Sequence, residues 1–200
     1  MAERQEHGFI NEAKVCETKS IMKWADFAKT HPQFSKKQGY TSDWDGIDLS
    51  VKTEGEYGFL PVQIKTIGNG NAIELADIFR NNKKSEAFRL IVDFYDKSDK
   101  SKTKMVKTFD VIVDPAKWRA HFNFPDYDEW KTWISGVSNC RSYDDTWKKE
   151  MKSKKQDWKT KNPNSLVMPR FKRDHKTQRR IQCAVKYSDF DKFIESVKQG

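Results

Sequence analysis

The stretch from Asp45 to Lys65 constrains this chain more than any other. In Asp45-Gly46-Ile47-Asp48-Leu49-Ser50-Val51, an extended strand sends Ile47, Leu49 and Val51 to one side and Asp48, Ser50 and Lys52 to the other. Pro61-Val62-Gln63-Ile64-Lys65 alternates too, with Val62 and Ile64 on one face and Gln63 and Lys65 on the opposite one. Between the two runs, Glu54-Gly55-Glu56-Tyr57-Gly58 has the glycine content of a hairpin connection. Paired, the strands expose one apolar face and one polar face. The polar face gathers an aspartate, an amide and an ammonium; an ordinary amphipathic hairpin with a solvated side accounts for the same pattern.

A carboxylate on one strand and a polar oxygen on the next can hold a hard cation such as Mg²⁺, which takes oxygen ligands and keeps several waters. A lysine two residues on can orient a water or stabilise charge building on a phosphate. The pattern resembles the PD-(D/E)xK nuclease superfamily, which includes restriction endonucleases and DNA-repair and junction-cleaving enzymes. Asp48 matches the motif aspartate and Gln63-Ile64-Lys65 the E-x-K half. No proline precedes the aspartate, and Gln63 replaces the acidic residue, which resembles a D…QxK variant and removes one negative charge from the site. The resemblance implies Mg²⁺ (with Mn²⁺ able to substitute) held by Asp48, Gln63 and the Ile64 carbonyl, with Lys65 acting on the water. Asp45 rivals Asp48. Strict alternation sets Asp45 on the apolar side with Ile47, and a bend at Gly46 reverses that. The resemblance also implies a glutamate from a preceding helix, for which Glu6 is the first choice and Glu12 the second.

The rest of the chain supplies a frame for such a hairpin. Residues 3–17 are predicted as a helix with Phe9, Ala13 and Cys16 as its inward stripe and Ile10 beside it, placing Glu6 on the inward edge. A second short helix is expected over 20–30, and a third over 72–82 after the Gly68-Asn69-Gly70-Asn71 break. Residues 87–95 and 105–113 are dense in strand formers, and Asp114-Pro115 starts a helix to about Phe122. This order predicts an α/β fold with a mixed central sheet flanked by helices, which agrees with a restriction-endonuclease-like core. The 200 residues suit one domain: a core over 1–122, a helical elaboration over 123–165, and a strand, loop and terminal helix over 166–200.

Charge separates along the chain. Residues 1–100 hold 15 Lys and Arg against 16 Asp and Glu, whereas residues 141–180 alone hold 14 against 5. A neutral half with carboxylates and a basic half suit an enzyme that works on a phosphate backbone, although a solvated lysine-rich helix has the same composition. Lys154 and Lys155 on a helix starting near 142 are candidate phosphate contacts. Lys172, Arg173, His175, Lys176, Gln178, Arg179 and Arg180, in a loop before the Ile181–Tyr187 strand, are candidates for phosphate or base contact. Asn69 and Asn71 could approach a phosphate beside the hairpin. The resemblance implies double-stranded DNA as partner, first as the target of a type II restriction endonuclease and second of a structure-specific repair or junction nuclease. It also implies a homodimer; a catalytically silent DNA-binding protein of the same fold is the reading that Gln63 favours. No apolar run approaches the roughly 20 residues a membrane helix needs. Three isolated cysteines (Cys16, Cys140, Cys183) and a polar start without a signal-peptide pattern lead to the expectation of a reducing, cytoplasmic location and no membrane partner.

Overall fold

The computed structural model describes residues 2–34, 44–74, 86–124, 129, 132–133, 145–171 and 181–198. The chain divides into two compact units: Met1–Asn71, Lys84–Pro115 and Ile194–Gly200 form one, and Ala72–Lys83 with Ala116–Phe193 the other.

The first unit is built on a five-stranded mixed sheet. In chain order its elements are α1 (Ala2–Thr18), β1 (Met22–Lys23), α2 (Trp24–Thr30), β2 (Gly46–Lys52), β3 (Phe59–Gly68), β5 (Phe88–Tyr95) and β6 (Met105–Val113), with β4 (Ile73–Glu74) belonging to the other unit. The strand order is β1-β2-β3-β5-β6. β2 and β3 form the expected antiparallel hairpin, β3 and β5 run parallel, and β5 and β6 are antiparallel. The parallel step follows from residues 69–87, a connection long enough for the crossover that parallel neighbours require. β3 is buried on both faces from Leu60 to Ile64, as a central strand should be. On one face Val62, Ile64 and Ile91 pack with Val15, Cys16 and Ile21. The alternate residues Leu90, Val92 and Phe94 are fully buried on the other face. Phe94 and Phe109 meet there edge to face with centroids 5.6 Å apart.

Two sequence expectations change here. The helix expected over 20–30 begins only at Trp24, because α1 ends in a left-handed cap. Ser20 has φ 54°, and the Ile21 N–H reaches back to the Cys16 carbonyl at 2.8 Å. The chain leaves this cap extended, and Met22 and Lys23 pair with Ile47 and Gly46. Gly46 permits that approach: a Cβ there would lie 2.7 Å from the Met22 carbonyl oxygen and from the Ile21 side chain. The inward stripe of α1 is also rotated. Phe9 and Ile10 are 66% and 60% exposed, while Asn11 is 8% exposed.

The second unit holds a three-stranded antiparallel sheet, β4-β8-β7, with β7 at Met168–Phe171 and β8 at Ile181–Val185. Ile73 and Glu74 pair with Val185 and Ala184, so the start of the expected 72–82 helix is a strand; residues 75–82 lie outside the described residues. Helix α3 (Pro115–Phe122) presents Trp118 and Phe122 to Phe193 of α5 (Tyr187–Lys198), with ring centroids 4.9 and 5.2 Å away. Helix α4 (Asp145–Lys161) buries Met151 and Trp158, and the Trp158 indole N–H donates to the Val167 carbonyl at 3.1 Å. Its lysines fall on the remaining faces, as an amphipathic helix requires. No helix among the described residues is long and apolar enough to cross a membrane.

Candidate active site

The β2–β3 ladder begins at Gly46 opposite Val62. Asp45 stands one residue before it, where β3 continues past its partner. The Asp45 N–H donates to the Val62 carbonyl at 3.0 Å, and the Trp24 N–H donates to the Asp45 carbonyl at 3.2 Å. Its carboxylate then takes the place of a strand. Oδ2 accepts the Ile64 N–H at 2.6 Å and also accepts from Nε2 of Gln63. Asp45 and the Gln-x-Lys segment are thus joined directly.

Asp48 is placed elsewhere, which corrects the expectation that it shares a face with Gln63 and Lys65. It lies opposite Leu60, so the pleat puts it on the Leu60 and Val62 side, away from Gln63 and Lys65. It is 3% exposed and ion-paired to Arg89 at 2.5 Å; Arg89 in turn meets Asp110 at 2.7 Å, and Lys19 meets Asp110 at 2.6 Å. Burial works against the Asp48 charge, but the Ser50 hydroxyl and N–H and the Arg89 guanidinium outweigh it and hold the carboxyl below its usual range. Asp48 is occupied in a chain of charges tying β2, β5, β6 and the end of α1. The pairing is irregular between Asp48 and Lys52, and Leu49, expected inward, is exposed.

Gln63 is 2% exposed, and its Oε1 is buried with no hydrogen-bond partner. An unsatisfied buried acceptor on a central strand is costly and calls for an explanation. Glu12 joins the site from α1. Its carboxyl is pushed up to about 7, first by burial and then by the Asp45 charge, with Lys65 and Lys23 pulling the other way. One turn on, the Cys16 thiol is pushed up to about 11 by burial, Glu12 and Asp45, so it stays protonated and unreactive at neutral pH. Glu12, the second choice on the sequence, therefore shares its electrostatic surroundings with Asp45 and Lys65. The Glu6 side chain lies outside the described residues.

These groups fit a Mg²⁺ ion. Among the described residues no three His, Cys, Asp or Glu side chains are placed as a metal set. Mg²⁺ asks for less, since it keeps several waters and is commonly held through one or two carboxylates. Asp45 and Glu12 supply two mutually repelling carboxylates, and the Gln63 Oε1 supplies a buried oxygen in need of a partner. The Ile64 carbonyl belongs to the same segment.

The other candidates divide. Asn69 and Asn71 are exposed in a closed turn after β3: the Asn69 N–H donates to Tyr95, the Asn71 N–H donates to Gly68, and Lys97 reaches the Asn71 Oδ1 at 3.3 Å. Lys154 is half-buried and Lys155 exposed on α4, in the other unit. Lys172, Arg173, His175, Lys176, Gln178, Arg179 and Arg180 lie outside the described residues. Sequence reasoning missed the buried pair Asn11 and Asp93, bonded to the half-buried Thr66 and the exposed Thr108. Its one available signal was a polar residue beside the apolar stripe of α1. No family model, curated protein or solved structure matches this chain.

Proposed function

We propose that the chain is a Mg²⁺-dependent endonuclease that hydrolyses phosphodiester bonds in double-stranded DNA, with Asp45 rather than Asp48 as its principal aspartate. The observation that carries this reading is the joining of Asp45 to Gln63 and Ile64, two residues from Lys65, beside a buried Gln63 oxygen without a partner. Asp45, Glu12, Gln63 and the Ile64 carbonyl would hold the ion. Bound there, it would supply Lewis-acid stabilisation of the phosphate and a more acidic water. The Lys65 ammonium would orient the attacking water or face the negative charge that builds on the phosphoryl oxygens. As the resemblance implies, water oxygen adds to phosphorus, the P–O3′ bond breaks, and a 5′-phosphate and a 3′-hydroxyl result. Restriction-type cleavage of a short site by a homodimer is the first form of the proposal, and structure-specific cleavage the second.

Purified protein incubated with unmethylated plasmid and Mg²⁺ tests it, with EDTA and Asp45→Ala as controls. Discrete bands that need Mg²⁺ and Asp45 support the restriction form, and smearing supports a nonspecific nuclease. Intact plasmid that is retarded in a gel replaces the enzyme reading with a DNA-binding protein.

A further inference from the structure

We infer that Asn11 and Asp93 are positioning residues, forming a buried polar lock that sets Glu12 against the rest of the site; the inference rests on the nuclease reading. Asn11 Nδ2 donates to Thr66 Oγ1 at 2.9 Å and to Asp93 Oδ2 at 2.7 Å. The other Asp93 oxygen accepts from the Thr108 hydroxyl at 2.6 Å. Four elements, α1, β3, β5 and β6, meet in these three bonds. The two residues bonded across the helix–sheet contact are the chain neighbours of site groups: Asn11 precedes Glu12, and Thr66 follows Lys65. By alternation Lys65 leaves β3 on the face opposite Thr66, so what these bonds fix is the rotation of α1, and with it the direction in which Glu12 leaves the helix.

The rotation of α1 shows the lock at work. By hydrophobicity alone the helix should bury Phe9 and Ile10, yet both are exposed and Asn11 is buried. Neighbouring residues are about 100° apart around a helix, so turning Ile10 inward would carry Asn11 out and swing Glu12 with it. Apolar packing by Val15 and Cys16 tolerates small rotations and slides, because it has no direction. Hydrogen bonds at these lengths do not. Asp93 is also a buried carboxylate with no lysine or arginine paired to it among the described residues, an expensive arrangement for stability alone. Groups that orient metal ligands without touching the metal commonly govern affinity by about 10- to 100-fold.

The test uses the full chain with Asn11→Leu, which keeps the side chain's bulk, and Thr108→Val, which removes one bond to Asp93 from outside α1. Val15→Ala serves as the control, since it weakens the same helix–sheet contact without touching the lock. Two readouts are taken: Mg²⁺ binding by calorimetry, and the Glu12 carboxyl ¹³C resonance followed against pH without metal. The expected result is Mg²⁺ affinity about 10-fold weaker or more in Asn11→Leu and weaker by a smaller factor in Thr108→Val. The Glu12 resonance should move towards ordinary carboxyl behaviour in both, and Val15→Ala should leave both readouts unchanged. The reciprocal swap, Asn11→Asp with Asp93→Asn, reverses donor and acceptor and should restore both. Equal effects from Val15→Ala, or an unmoved Glu12 resonance in Asn11→Leu and Thr108→Val, overturn the inference. If the wild-type protein binds no Mg²⁺, the nuclease reading falls, and the Glu12 resonance alone decides whether the lock sets that side chain.

Discussion

Replacing Glu12 by Gln should stabilise the metal-free protein at pH 8 while removing its function. A carboxyl raised from 4.5 to about 7 has gained a factor of about 300 in proton affinity on folding, or about 3 kcal/mol. Glu12 is only half-buried, so water screens a large part of this and about 1 kcal/mol is the expected remainder. Because the folded value is raised, the associated stability is fully present below the ordinary value of 4.5. It is lost as pH rises through about 7. Glutamine keeps the shape and never ionises. The stability advantage of Glu12→Gln over wild type should therefore be small at pH 5 and grow by about 1 kcal/mol by pH 8. Urea unfolding at both pH values reads this directly. With a slope of about 2 kcal/mol per molar, the midpoint difference should widen by about 0.5 M. Mg²⁺ provides the second arm: at about 100 times its dissociation constant it should stabilise wild type by about 2.7 kcal/mol, and Glu12→Gln much less. An advantage that does not change with pH, or a variant less stable than wild type at pH 8, refutes the account of Glu12 as a carboxylate strained by burial and by Asp45.

Asp45→Ala should abolish Mg²⁺-dependent cleavage with the fold intact, whereas Asp48→Ala should act through stability, costing about 1.5–3 kcal/mol by removing one of the two carboxylates on Arg89, which keeps Asp110; thermal melts beside cleavage assays separate the two, and the reverse pattern would restore Asp48 as the ligand. Lys65→Ala should lower turnover by about 100-fold or more with DNA affinity nearly unchanged, and equal losses in both would make Lys65 a phosphate clamp. Lys154→Ala with Lys155→Ala should weaken binding to every duplex alike and flatten the salt dependence by about 0.9 per lost contact, as read from isotherms at several salt concentrations. Arg179→Ala or Arg180→Ala should instead cost about 1–3 kcal/mol on the preferred site only, and proportional losses on random DNA would show that this loop does not read sequence.

By itself the sequence determined the elements whose signals are local. The alternation in 45–52 and 61–65 marked a hairpin whose strands run over Gly46–Lys52 and Phe59–Gly68, Met105–Val113 read as a strand at the observed bounds, and Pro115 opened the helix that runs to Phe122. The Gln63-Ile64-Lys65 segment was legible for the same reason, since its chemistry and its strand lie in consecutive residues. What only the tertiary structure decided was which carboxylates face that segment. Side chains alternate with a period of two, so the choice between Asp45 and Asp48 is a matter of parity. That parity depends on where the ladder starts, and here it starts at Gly46, where β1 lies too close for a side chain. The partner that removes Asp48 from the site, Arg89, lies 41 residues away. The rotation of α1 was equally hidden from the sequence, because two apolar residues on that helix, Phe9 and Ile10, pointed to the wrong face. The side-chain bonds of Asn11 join residues 55 and 82 positions apart, a distance over which local patterning carries no signal.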